Sequence, residues 1–131
     1  MTTVRIPGLV VTDHVVEVPL DHRRPERGGT IEVFAREVVA AGREHDELPW
    51  LLFLQGGPGG KSPRPGGGPG DGWIRFATRT HRVLLLDQRG TGRSTPLTGR
   101  AVAGMTDGQV AAYLRLFRAD SIVADAEVLR A

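Results

Sequence analysis

The sequence predicts an α/β protein built on a partly parallel sheet. Two short segments, WLLFL (residues 50–54) and RVLLLD (residues 82–87), are continuously apolar and bounded by turn-forming residues, as strands covered on both faces of a parallel sheet are. A stretch between them (residues 72–80) can form a short helix, which completes a strand–helix–strand unit with a right-handed crossover. The side of this helix expected to face the sheet carries Ile74, Phe76 and Ala77.

Two alternating segments come before this unit. HVVEVPL (residues 14–20) and TIEVFAREV (residues 30–38) alternate apolar and polar residues, which is typical of half-exposed strands. Residues 23–29, which include two glycines and a proline, separate them as a turn would. We therefore predict an N-terminal antiparallel hairpin and place it at an edge of the sheet.

Two C-terminal helices are predicted after the second apolar strand. Thr106 and Gln109 have the spacing of a capping box at the start of the first helix. Its apolar stripe consists of Val110, Ala111, Leu114 and Phe117. The second helix is expected to begin near Asp120 or Ser121, with the serine acting as a cap. Its inward positions are Ile122, Ala126 and Leu129.

Composition excludes several classes of site. The 131 residues are 40% hydrophobic and 24% charged, as in one ordinary soluble domain, and include no cysteine. Disulfides, thiolate metal sites and cysteine nucleophiles are therefore excluded. The four histidines have no ligand spacing such as i, i+4; they are His14, His22, His45 and His81. We predict no metal centre and no cofactor.

Charge and hydropathy bear on partners and location. The net charge is only +2, and the densest basic segment, DHRRPERGG (residues 21–29), also contains two acidic residues. A solvated loop explains that segment better than a nucleic-acid surface does. No window approaches the length of about 18 apolar residues that a membrane span needs. If Met1 is the natural start, a cytoplasmic protein is expected.

A glycine-rich turn directly follows the first apolar strand. The sequence QGGPGGKS (residues 55–62) ends like a phosphate-binding loop, but that motif needs glycine where Gln55 stands, and Pro58 lacks a backbone N–H. The other interpretation is an oxyanion hole, in which glycines let backbone amides face a cavity at the end of a buried strand. A plain tight surface turn is the remaining alternative. The long loop that follows (residues 62–72) is expected to line a site.

Together, two motifs carry a family resemblance. QGGPGG (residues 55–60) and DQRGTGRS (residues 87–94) resemble the H-G-G-P-G and D-Q-R-G-x-G-x-S motifs of prolyl aminopeptidases, or proline iminopeptidases, of the α/β-hydrolase superfamily. The second motif matches in full, and the first differs only in having Gln55 in place of histidine. The resemblance covers nearly the whole chain and corresponds to the N-terminal part of such a domain.

The resemblance implies roles for both motifs. The backbone N–H of Gly57 matches the oxyanion-hole donor, and the turn around it consists of Gln55, Gly56, Pro58, Gly59 and Gly60. The second motif is expected to be structural; its residues are Asp87, Gln88, Arg89, Gly90, Gly92, Arg93 and Ser94. In this reading Asp87 and Arg89 hydrogen-bond neighbouring loops, while the two glycines permit the turn.

No catalytic residue is identified in the chain. Ser62 and Ser94 both lack the G-x-S-x-G elbow that exposes a nucleophile. We therefore interpret residues 1–131 as the N-terminal part of an incomplete α/β-hydrolase domain that lacks the elbow, the cap and the rest of the triad. The resemblance implies that the complete protein releases N-terminal proline from peptides with a free amino terminus. Alternatives are another hydrolase such as an esterase, or a non-catalytic interaction module.

A last expectation concerns the chain expressed alone. Without the strand that follows in the resembling family, an apolar strand edge is expected to stay unpaired beside RVLLLD (residues 82–87). Such an edge is an aggregation hazard. The isolated 131-residue chain is therefore predicted to be insoluble or molten, and to hydrolyse neither prolyl anilides nor acetyl esters.

Overall fold

A computed structural model describes residues 2–55, 61–66 and 71–130. One five-stranded mixed sheet carries helices on both faces. The strands are β1 (Thr2–Ile6), β2 (Leu9–Pro19), β3 (Thr30–Ala40), β4 (Trp50–Leu54) and β5 (Arg82–Asp87). The helices are α1 (Gly72–Ala77), α2 (Asp107–Leu114), a 3₁₀ helix (Arg115–Phe117) and α3 (Ala119–Arg130). The strand order is β1-β2-β3-β5-β4, and the predicted α/β class is confirmed.

The predicted hairpin forms, but not at the edge of the sheet. β2 and β3 pair antiparallel from Leu9 opposite Ala40 to Pro19 opposite Thr30. β3 also pairs antiparallel with β5, and β1 pairs with the other side of β2, so the edge position predicted for the hairpin was wrong. The segment that forms β1 has only two apolar residues and is mostly exposed. Its pairing with β2, rather than its own hydropathy, makes it a strand.

The two apolar segments form the predicted parallel pair, β4 and β5, with α1 between them. β5 is buried from Val83 onward, as predicted. The expectation that β4 is covered on both faces was wrong, because Leu54 is 41% exposed and Leu51 is exposed on the opposite face. β4 pairs only with β5 among the described strands, and this edge position leaves it open to solvent.

The open strand edge also lies elsewhere than predicted. β5 is paired on both sides, by β3 and by β4, so no free edge exists beside it in the described part of the chain. The free apolar edge belongs to β4 instead. β3, the second strand of the hairpin, pairs with β5 on the side that we expected to be open.

Helix α1 packs on one face of the sheet with Ile74 fully buried and Ala77 against the same cluster. Phe76, predicted to face inward, is 70% exposed. Each helical residue advances by about 100°, so Phe76 lies about 200° from Ile74 and faces away from the sheet. Trp73 extends the contact to β4, with its ring centroid 4.8 Å from that of Phe53.

Helix α2 begins as predicted but packs less than predicted. The hydroxyl of Thr106 accepts a hydrogen bond from the Gln109 backbone N–H, and the Gln109 side chain accepts one from the Thr106 N–H, which completes the capping box. None of the helix residues is buried, and Leu114 is 46% exposed. The predicted apolar stripe therefore does not form a buried face on this helix.

Helix α3 covers the opposite face of the sheet from α1. Its inward positions are those predicted, Ile122, Ala126 and Leu129, and they pack against buried residues of β2, β3 and β5. The core thus has two layers separated by the sheet. On the α3 side it contains Val18, Ile31, Val33, Ala35, Leu84 and Leu86, and on the α1 side Leu9, Val11, Val38, Val83 and Leu85.

Candidate active-site loops

Two glycine-containing loops follow the carboxyl ends of β4 and β5. Because these strands are parallel neighbours, the segments that follow them begin at the same end of the sheet. Open α/β sheets bind ligands at this end, beyond the carboxyl ends of their strands. Gln55 directly follows β4. The remaining residues of the first motif lie outside the described residues, including the predicted oxyanion donor; they are Gly56, Gly57, Pro58, Gly59 and Gly60.

The described residues on both sides of that glycine motif are hydrogen-bonded to the end of β5. On the entry side, the Gln88 side-chain amide donates to the Gln55 carbonyl oxygen at 3.4 Å. On the exit side, the Ser62 N–H donates to Asp87 Oδ1 at 2.8 Å, and its hydroxyl donates to the Leu86 carbonyl oxygen at 2.5 Å. Leu86, Asp87 and Gln88 therefore hold the described residues on the two sides of the glycine motif, which are Gln55 and Ser62.

The carboxylate of Asp87 joins two segments. It is buried and accepts backbone N–H hydrogen bonds from Ser62 through Oδ1 and from Arg93 through Oδ2, the latter at 2.9 Å. Hydrogen bonds to an ionised acceptor are stronger than neutral ones. The hydroxyl of Ser94 donates to the Asp87 carbonyl oxygen at 2.6 Å and accepts from the Phe34 N–H at 2.9 Å. Ser94 is thus occupied in joining β3 to the end of β5.

Glycine is required at two positions of the second loop. Gly92 has φ +51°, and a Cβ atom placed there would lie 2.3 Å from Asp87 Oδ2. Gly90 has φ +86°, and its Cβ would lie 3.0 Å from the Cβ of Leu97. At Gly92 the missing side chain allows the backbone to approach the carboxylate, and this approach brings the Arg93 N–H within hydrogen-bonding distance.

The guanidinium of Arg89 is fully buried, and all five of its N–H groups are used. Nε and Nη2 donate to the two carboxylate oxygens of Asp125 on α3 at 2.7 and 2.8 Å. The other three hydrogen bonds go to the carbonyl oxygens of Pro19, Leu20 and Leu116. Arg89 therefore connects the end of β2, the 3₁₀ helix and α3 to the loop after β5.

Sequence reasoning missed Asp125. It lies on the same face of α3 as Ile122, Ala126 and Leu129, and it also contacts His22 Nε2 at 2.6 Å. The sequence did carry one signal, a carboxylate among the apolar positions of an amphipathic helix. Such a carboxylate is expected to be buried, and a buried charge needs a partner of opposite charge. The motif arginine, 36 positions earlier, is that partner.

Positive charge gathers around Phe34 beside the second loop. The guanidinium carbon of Arg93 lies 4.1 Å from the centroid of the ring and that of Arg36 lies 4.8 Å from it. Both arginines also contact the Asp13 carboxylate, at 3.2 and 3.5 Å. Burial lowers the pKa of the Arg36 guanidinium from its usual value, while Asp13 and Asp87 act against that shift. Stacking and ion pairing thus hold Arg93 against β3.

A cavity of about 550 Å³ is lined by residues outside the described parts of the two motifs. It opens between the turn after β2 and the C-terminal helices, and its lining includes His22, Arg115 and Ser121. In the described part of the chain, no group of three or more His, Asp or Glu side chains is placed to hold a metal ion. Within the same residues, no helix is long and apolar enough to cross a membrane.

Two known proteins are similar to most of this chain. No family model matches the chain. A proline iminopeptidase of Aeromonas sobria is 50% identical over 125 residues, which cover 95% of this chain and 29% of that protein. A proline iminopeptidase of Aspergillus aculeatus is 43% identical over 119 residues, covering 87% of this chain and 25% of its own length. The chain thus spans less than a third of either relative, and over the stretch that it shares with them it is similar to proline iminopeptidases.

Proposed function

We propose that this chain supplies the oxyanion loop of a serine peptidase that releases N-terminal proline from peptides. The observation that supports this most directly is the hydrogen bonding of both flanks of the glycine motif, Gln55 and Ser62, to three consecutive residues at the end of β5. An oxyanion donor must be held in place before the reaction begins, because its advantage over water lies in preorganisation. The identity to proline iminopeptidases points to the same chemistry.

In the proposed reaction, a serine Oγ attacks the carbonyl carbon of an N-terminal proline residue while a histidine takes the hydroxyl proton. The negative charge that forms on the carbonyl oxygen is met by the backbone N–H of Gly57, in the role we propose for it. The C–N bond then breaks, the histidine returns the proton to the leaving amine, and water hydrolyses the acyl-enzyme. Loss of one oxyanion donor costs about 10²- to 10³-fold in rate.

The nucleophile, the acid and the histidine are proposed to lie outside these 131 residues. Neither candidate serine has a nucleophile's surroundings: Ser62 and Ser94 are 2% exposed, and both hydroxyls donate to backbone carbonyl oxygens. Residues 1–131 alone are therefore proposed to be inactive. The expected cytoplasmic location stays a prediction, and cell fractionation tests it.

The first experiment is to read the coding DNA beyond the Ala131 codon in all three frames. A G-x-S-x-G sequence after a short apolar run, within about 30 codons, would support the peptidase proposal and locate its nucleophile. The protein expressed from the complete reading frame should then hydrolyse proline anilides faster than acetyl esters. A stop codon with no hydrolase sequence after it would contradict the proposal and favour an interaction module, and the reverse substrate preference would favour an esterase.

A further inference from the structure

We infer that Ser62 and Asp87 are positioning residues for the oxyanion loop. In this inference, which rests on the proposed function, they fix the exit of the glycine motif to β5, while Gln88 fixes its entry. Neither side chain is assigned a contact with substrate. Their effect on the reaction passes through the backbone of the motif between Gln55 and Ser62.

The contacts of Ser62 distinguish it from a serine in an ordinary surface turn. It lies in a segment of glycines and prolines, yet it is buried, and both its N–H and its hydroxyl donate to the end of β5. Gly66, four residues further on, donates its N–H to Asp71 Oδ2 at 2.9 Å. The backbone that leaves the glycine motif is therefore held at two points before α1 begins.

The Asp87 carboxylate must accept on both oxygens to make the contacts observed. Oδ1 accepts from Ser62, and Oδ2 accepts from Arg93. An asparagine has one carbonyl oxygen, so it could accept from only one of the two N–H groups, that of Ser62 or that of Arg93, and its NH₂ group would face the other donor and repel it. Asp87→Asn is thus nearly isosteric and removes one of the two hydrogen bonds that join the loops.

The absence of a side chain at Gly92 supports the same assignment. A Cβ there would lie 2.3 Å from the Asp87 carboxylate and 2.8 Å from the Cβ of Lys61. The second loop therefore packs directly against both the carboxylate and the residue before Ser62. A displacement of either loop would move the other.

The test uses the protein expressed from its complete reading frame, with Ser62→Ala, Ser62→Thr and Asp87→Asn. Thr78→Val is the matched control, because Thr78 is also buried and its hydroxyl also donates to a backbone carbonyl oxygen, that of Arg75 on α1. The measurements are kcat and KM on a proline anilide, and hydrogen exchange of the peptide that contains residues 55–66. Circular dichroism and Tm establish that each variant folds.

We expect Ser62→Ala and Asp87→Asn to lower kcat about tenfold to a hundredfold, since small misplacements of catalytic groups cost up to about 10²-fold. KM should change by less than about twofold, exchange at residues 55–66 should rise, and Ser62→Thr should restore most of the kcat. Thr78→Val should leave kcat unchanged. Folded Ser62→Ala and Asp87→Asn variants that keep wild-type kcat and exchange would overturn the inference. A wild-type protein without peptidase activity would refute the proposed function. In that case, unchanged hydrogen exchange of residues 55–66 in Asp87→Asn would separately refute the positioning of the loop by Asp87.

Discussion

Removing the carboxylate of Asp125 should destabilise the protein more than any other single truncation on α3. Asp125 is completely buried and contacts three groups, Arg89 Nε, Arg89 Nη2 and His22 Nε2. Asp125→Ala deletes all three contacts. It also leaves the buried guanidinium of Arg89 with hydrogen bonds to carbonyl oxygens but without the counter-charge of Asp125.

The size of the expected loss of stability follows from the burial of the ion pair. Removing one partner of a buried ion pair costs about 3–5 kcal/mol, because the remaining charge stays out of water without compensation. Glu127→Ala is the matched control on the same helix. Glu127 also accepts two hydrogen bonds from one arginine, Arg130, but the side chains are 60% and 61% exposed, so its loss should cost less than about 1 kcal/mol.

The assay is urea unfolding of the protein expressed from its complete reading frame, with both variants compared with wild type. The expected difference between the two variants is at least about 2 kcal/mol in the free energy of unfolding, given those two ranges. Equal, small effects of Asp125→Ala and Glu127→Ala would refute the reasoning. In that case the Arg89–Asp125 pair would not connect α3 to the loop after β5.

Three further predictions concern the loop, the edge strand and the chain alone. Gly92→Ala should lower the free energy of unfolding by at least about 2 kcal/mol, because Gly92 has a positive φ and the new Cβ would clash with Asp87. Gly99→Ala is the control and should cost far less, since no atom lies within 4 Å of a Cβ placed there. Similar Tm values for the two variants would contradict this prediction. The isolated 131-residue chain should aggregate through the exposed edge of β4, and Leu54→Lys should raise its monomeric fraction in gel filtration. A sharp cooperative melt of the unsubstituted monomer would show that this edge is harmless. The isolated chain should also hydrolyse no proline anilide, and turnover that survives rigorous purification would reveal a nucleophile within it.

Several features of the fold follow from the sequence because local patterns encode them. The alternation in residues 14–20 and 30–38 places Val18 and Val33 on the same buried face, where each lies at 0% exposure. The apolar run of β5 reflects its burial on both faces, and the capping box at Thr106 forms from atoms three residues apart. Each of these signals lies within a few residues of the structure that it predicts.

Other features depend on which segments meet, and no local pattern contains that information. β4 and β5 are similarly apolar, yet β5 is buried and β4 is exposed, because β3 pairs with β5 rather than with β4. The environment of a strand depends on its neighbours in the sheet as much as on its own composition.

The sequence by itself determined the α/β class, the parallel pair and the two motifs that resemble those of prolyl aminopeptidases. Only the tertiary structure decided that Ser62 belongs with Asp87, 25 positions later, and that the partner of Arg89 is Asp125 on the last helix. The physical reason is that buried polar groups must be hydrogen-bonded, and the partner that satisfies each one is chosen by the packing of distant segments.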